Sequence, residues 1–131
     1  MQDIDKLAWI CIQQKKVLVA RSKGKPVFYM PGGKRDPGET DAQALVREIK
    51  EELSVDLKPE TLSYVHQIRA QAHGKPEGVM VKITCYSGEF EGAIQPAAEI
   101  EEVRWVGSKD PGCSPTAQII VDWLAERKLI Q

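Results

Sequence analysis

Helices lying against a mixed β-sheet, an α/β fold class, are what this 131-residue chain predicts, on three observations. Short runs rich in β-branched and aromatic residues, bounded by Gly, Pro and polar turns, occur in both halves of the sequence. Apolar residues recur at helical spacing through 42–53, and a second such pattern follows Ser114-Pro115. The length suits one compact domain over 1–131, able to bury about two-thirds of the surface its unfolded form exposes. No internal repeat, low-complexity segment or domain linker interrupts it.

Taken in order, residues 7–12 and 17–20 are β-rich and are separated by the polar Gln13-Gln14-Lys15-Lys16, which predicts a hairpin. A short run at 27–30 ends at Pro31-Gly32-Gly33, expected to be a loop whose glycines let main-chain groups approach a ligand. A helix is expected from Thr40 or Asp41, both acceptable caps, to Leu53. Its apolar stripe of Ala42, Leu45, Val46, Ile49 and Leu53 would pack on the sheet. Residues 62–72 and 79–90 read as two long strands joined by Gly74-Lys75-Pro76-Glu77-Gly78, and 102–106 as another. Ser114 caps a final helix with Pro115 at its first position, reaching Leu129.

Composition narrows the function. A hydrophobic fraction of 42% with 28% charged residues is ordinary for a globular chain, and a net charge of -1 gives no general attraction to nucleic acid or anionic membrane. Apolar stretches are broken by Lys, Arg, Gln or Asp, and the opening MQDIDK lacks a basic-then-apolar leader pattern, so the expected location is the cytoplasm with no membrane partner. Cys11, Cys85 and Cys113 are odd in number and widely spaced, which suggests neither a disulfide framework nor a zinc site.

The helix at 41–53 carries Glu48, Glu51 and Glu52 at i, i+3 and i+4, on a face distinct from the apolar stripe. Like-charge neighbours cost a few tenths of a kcal/mol per pair, and anions in the last turn oppose the helix dipole by roughly 0.3 to 1 kcal/mol each. The sum, on the order of 1 to 2 kcal/mol, gives the fold nothing in return. A hard divalent cation reverses the sign, because clustered carboxylates concentrate oxygen ligands. Mg²⁺ keeps several waters and completes its shell with substrate phosphate oxygens, so the patch suits a phosphorylated substrate.

From Gly33 to Val55 the spacing is Gly33, Glu39, Arg47-Glu48-Ile49 and Glu51-Glu52. At about one chance in fifteen for each of six specified positions, coincidence amounts to roughly one in ten million per window. The segment resembles the Nudix box, G-x5-E-x7-R-E-U-x-E-E-x-G-U with U aliphatic, at every specified position but one: Ser54 stands where the family has glycine. A serine in that left-handed helix-ending position costs about 1 kcal/mol, so a shifted helix end is expected.

The resemblance implies a Nudix α/β/α sandwich and metal-dependent hydrolysis of a nucleoside diphosphate linked to a group X. It implies Glu48, Glu51, Glu52 and the carbonyl of Gly32 as metal ligands, with Mg²⁺ the cofactor and Mn²⁺ able to substitute. Glu39 and Arg47 would orient those glutamates, and Glu51, Glu52 and Arg47 belong to the catalytic set. A further glutamate, as ligand or general base, is expected before the strand containing Trp105: Glu99 first, Glu102 second. Among the cations around the glycine segment, Arg21 and Lys34 are the candidates for substrate phosphates. Phe28, Tyr29 and Trp9 could stack on a base, with core packing the simpler role.

The box leaves X open. Ala70 stands where ADP-ribose pyrophosphatases tend to carry proline, Ala72 where diadenosine polyphosphate hydrolases tend to carry tyrosine, and the NADH-type array is missing. By elimination the expectation is a MutT-like nucleoside triphosphate pyrophosphohydrolase, with a nucleotide sugar as the alternative. A non-catalytic nucleotide sensor would usually lack one of the box glutamates, and all four are present. A small nucleotide is the expected partner and no stable nucleic-acid complex is expected; a homodimer, common among such small domains, is open.

Overall fold

The computed structural model describes residues 3–131, so Met1 and Gln2 of the MQDIDK start lie outside the described residues. In chain order the elements are β1 (Ile4–Trp9), β2 (Ile12–Gln13), β3 (Lys16–Ser22), β4 (Gly32–Lys34), α1 (Asp41–Leu53), β5 (Asp56–Leu57), β6 (Ser63–Gln71), β7 (Met80–Ser87), β8 (Phe90–Glu91), β9 (Ile100–Val106) and α2 (Pro115–Glu126). Strands β4-β1-β7-β6 form one sheet, β2-β3-β9 a second, and β5 pairs with β8. The β1–β7 pair is parallel and the others are antiparallel, which makes the larger sheet mixed.

Alternation along the strands creates two apolar layers. Leu7 and Trp9 of β1 and Leu18 of β3 face Ala44, Leu45, Ile49 and Leu53 of α1. Ala8, Val17 and Val19 face the opposite way and pack with Ile120, Val121 and Leu124 of α2. One helix therefore covers each face, the expected α/β/α arrangement. Thr40 caps α1 in a reciprocal box with Gln43, and Ser114 caps α2 by accepting from the Ala117 N–H.

Several element boundaries differ from the sequence reading, each for a tertiary reason. Residues 7–12 are not a single hairpin arm: β1 lies between β4 and β7, and only Ile12 and Gln13 pair with β3. Gln14 and Lys15, at φ of 51° and 64°, form the two-residue turn whose twist suits a hairpin. The glycine segment is a strand where a loop was expected, with Gly32 and Gly33 opposite Ala8 and Leu7. Residues 27–30 make only isolated bridges, Ala20 with Tyr29 and Phe28 with Cys113. The run at 79–90 divides into β7 and β8, and α2 stops at Glu126, short of Leu129. Ala44 is buried in α1 where Ala42 was expected. No helix among the described residues is long and apolar enough to cross a membrane.

Candidate active site

Burial of Leu45, Ile49 and Leu53 fixes the rotation of α1, and that rotation decides where its charged residues point. The side chain of Glu52 is turned inward and the residue is only 6% exposed. Glu48 is intermediate, its side chain 16% exposed, and Glu51 points outward at 56%. At about 100° per residue, Glu48 and Glu52 lie roughly 40° apart around the helix, whereas Glu51 lies roughly 100° from Glu52. The expectation of three carboxylates on one separate face is thus corrected: Glu52 belongs to the buried side, and Glu51 is on the solvent side. Among the described residues no group of three or more His, Cys, Asp or Glu side chains is close enough to hold a metal as it stands.

The glycines of β4 make room for the two inner carboxylates. A Cβ on Gly33 would lie 2.7 Å from the Glu48 carboxyl carbon, so any side chain would displace that group. Gly32 has φ of 140°, and a Cβ there would lie 2.0 Å from the Leu7 carbonyl oxygen, which ties it to close pairing with β1. Its N–H donates to Glu52 Oε1 at 3.1 Å. Burial, with the nearby Glu48, Glu99 and Glu51 charges, pushes the Glu52 carboxyl up to about 8 despite that bond. Burial also raises Glu48, against the pull of Arg47.

Arg47 is the hub of the outer shell. Its Nε and Nη2 donate to both oxygens of Glu39 at 2.8 Å each, and Nη1 donates to Glu48 at 2.9 Å. The same nitrogen lies 3.7 Å from Glu51, and Nη2 reaches the Lys34 carbonyl at 3.3 Å. The fork-shaped guanidinium locks Glu39 to α1 and leaves Glu48 aimed at β4. The Arg47 guanidinium and the Asp36 N–H hold the Glu39 carboxyl at about 2.

On the face of β1 opposite α1, a cavity of about 540 Å³ opens. Glu48, Glu52, Glu99, Gly32, Gly33 and Lys34 all line it, whereas Glu39, Arg47, Glu51 and Arg21 do not. Glu102 is held elsewhere, pairing with Arg21 at 3.2 Å and with Arg104 at 3.6 Å. Arg21, the other phosphate candidate, stands outside the cavity lining: it sits opposite Glu102 in the β3–β9 register and also pairs with Glu101 at 3.0 Å. Of the three aromatic candidates only Tyr29 lines the cavity, where its hydroxyl meets His73 Nδ1 at 2.7 Å. Trp9 is fully buried edge-on to Phe90, and Phe28 is buried beneath the Arg104 guanidinium.

Sequence reasoning missed Lys6 and Lys75, which line the cavity together with Lys25, a cation near the glycine segment that the sequence offered for phosphate but did not favour. Only for Lys6 was there a signal: it breaks the apolar alternation of Ile4, Lys6 and Ala8 on one face of a strand.

The NUDIX domain family matches residues 5–125. The chain belongs to the NUDIX family. Human "8-oxo-dGDP phosphatase NUDT18" is 34% identical over 84 residues, covering 58% of this chain and 26% of that protein. The "NAD-capped RNA hydrolase NudC" of Stutzerimonas stutzeri is 29% identical over 115 residues, covering 85% of this chain and 39% of the relative. The chain thus spans well under half the length of these curated relatives. Among solved structures, the E. coli ORF135 protein superposes with a TM-score of 0.76 at 26% identity, over 97% of this chain and 92% of that one. MutT from Burkholderia pseudomallei gives 0.78 at 20% identity, over 93% and 98%, a likeness of fold.

Nudix hydrolases generally use a divalent metal and act on small nucleotides. The donor set of this NUDIX domain fits such an ion: Glu48 and Glu52 supply hard oxygens at one cavity wall, and both carboxyls are pushed up by burial that a cation would offset. Mg²⁺ typically takes one or two protein carboxylates and fills the remaining positions with water and phosphate oxygens.

Proposed function

We propose that this chain is a Mg²⁺-dependent pyrophosphohydrolase of nucleoside diphosphates linked to a group X, with nucleoside triphosphates its main substrates. The observation that carries the proposal is the buried Glu52 carboxylate, held by the Gly32 N–H beside Glu48, in a cavity that also receives Lys34 and Glu99. Carboxylates and ammoniums sharing one cavity suit a metal–phosphate pair, in which each partner has a counterpart.

In this reading Glu48 and Glu52 would hold the ion, with the Gly32 carbonyl and Glu51 as additional ligands. The ion supplies Lewis acidity toward a phosphate and a more acidic water. Glu99, on the cavity wall and without an ion-pair partner among the described residues, is positioned to accept the proton of an attacking water. Arg47 and Glu39 keep Glu48 in place, and Lys34 binds a substrate phosphate.

The human relative's name favours one specific extension, to 8-oxo-dGDP, and the bacterial relative's name points to NAD-capped RNA. Nucleotide sugars remain the alternative within the same chemistry. A panel of ordinary and oxidised nucleoside di- and triphosphates, nucleotide sugars and dinucleotides, run with Mg²⁺ and with products resolved as pyrophosphate or monophosphate, tests the proposal. Pyrophosphate release from a triphosphate is the expected outcome. Absence of turnover on every member would leave a nucleotide-binding module instead.

A further inference from the structure

Lys6 occupies an unfavourable place for a lysine. It sits in the middle of β1, half-buried, directly opposite Lys34 in the β1–β4 register. Like charges facing across an antiparallel pair destabilise a sheet, and a desolvated ammonium adds to that cost. Neither Lys6 nor Lys34 has a carboxylate within ion-pairing distance or a side-chain hydrogen bond among the described residues, and the same holds for Lys75, which the β6–β7 hairpin brings to the same cavity.

The neighbours of Lys6 are charged on both sides. Glu48, Glu52 and Glu99 line the cavity with it, as do Lys25, Lys34 and Lys75. Burial lowers the Lys6 ammonium's pKa first, Lys34 and Lys75 add to that, and Glu52 and Glu48 oppose it, so the group feels both clusters at once. A residue that only balanced the glutamates would be expected to contact one of them. Lys6 instead stands where carboxylates give way to ammoniums.

We propose that Lys6, with Lys34 opposite and Lys75 across the cavity, is a phosphate clamp holding the part of a diphosphate that extends beyond the carboxylate wall. The inference rests on the proposed diphosphate chemistry of this cavity and adds a binding residue to it. A bound phosphate would supply the counter-charge that the cross-strand lysine pair lacks. It would also orient the scissile anhydride against Glu48 and Glu52, because two anchored ends fix the direction of the bond between them.

The test is a calorimetric titration of metal-stripped protein with inorganic pyrophosphate at neutral pH. Wild type is expected to bind it. Lys6→Met, which keeps the length and removes the charge, is expected to weaken binding at least tenfold without lowering the thermal midpoint. Lys6→Arg is expected to restore most of the affinity, and Lys109→Met, which removes an exposed lysine outside the cavity, to bind like wild type. Equal binding by wild type and Lys6→Met, equal weakening by Lys109→Met, or no binding by wild type would each overturn the clamp. No hydrolysis enters the titration, so a failed substrate panel would remove the proposed function and leave this result readable.

Discussion

Glu52 is a carboxylate that the fold holds at a cost. Its pKa is pushed from the ordinary 4.5 up to about 8, chiefly by burial. For a carboxyl raised on folding, the folded state binds its proton more tightly, so no penalty exists below the unfolded pKa and one accumulates as pH rises from 4.5 toward 8. Metal-free protein should therefore lose thermal stability across that window, by on the order of a few kcal/mol at most. Glu52→Gln, which keeps the Gly32 hydrogen bond and removes the charge, should flatten the profile and raise the melting temperature at pH 9. Thermal scans of both proteins in chelator from pH 4.5 to 9 check this; parallel profiles would contradict it. Arg47 makes a different contribution, since its guanidinium touches Glu39 and Glu48 without lining the cavity. Arg47→Gln should raise the Mg²⁺ concentration needed for half-maximal activity by about 10- to 100-fold, as for other groups that orient metal ligands.

At the scale of elements, β4 and the end of α1 decide whether the site is assembled. Gly33→Ala would drive a methyl into the end of the flexible Glu48 side chain, and Gly32→Ala would drive one into the backbone of β1. The first should fold and lose activity, whereas the second should be destabilised by several kcal/mol, the scale of forced overpacking and backbone strain together. Circular dichroism melts beside activity assays separate the two. Ser54 corrects an expectation: the helix end is not shifted, because the serine itself adopts φ of 66° and ψ of 17°, with its N–H on the Lys50 carbonyl. Its hydroxyl donates to the Gln95 carbonyl at 3.2 Å, and the Gln95 and Ala97 N–H groups reach the Leu53 and Glu52 carbonyls at 2.9 Å each. Those bonds occupy carbonyls the helix end would otherwise leave open and offset part of the serine's strain. Ser54→Gly relieves about 1 kcal/mol of strain but loses the hydroxyl bond and loosens the unfolded chain, so the net change should stay within about 0.5 kcal/mol. A denaturant melt shifted well beyond that in either direction would contradict this account of the cap.

For the whole molecule, what was legible in the sequence was local. The α1 cap, its core residues Leu45, Ile49 and Leu53 and the box spacing all depend on neighbours within a turn or two, and each stands in the structure. The strand identity of Gly32–Lys34 was not legible, because glycines read as a turn until β1 lies beside them. Arg21 looked free for phosphate because its partners, Glu101 and Glu102, are about eighty residues away in sequence. Lys6 was passed over for the converse reason, since only the β1–β4 register places it against Lys34. The equivalence of the three box glutamates also failed, because spacing along a helix does not reveal which way the helix is turned against its sheet.

The central claim, that Glu52 at the cavity wall carries divalent-metal-dependent cleavage of a phosphoanhydride, is tested most directly by assaying wild type and Glu52→Gln side by side on the best substrate of the panel. With saturating Mg²⁺ the variant should turn over at least about a hundredfold more slowly, near 3 kcal/mol in the barrier, with an unchanged fold by circular dichroism. Wild-type rates from the folded variant would contradict the account.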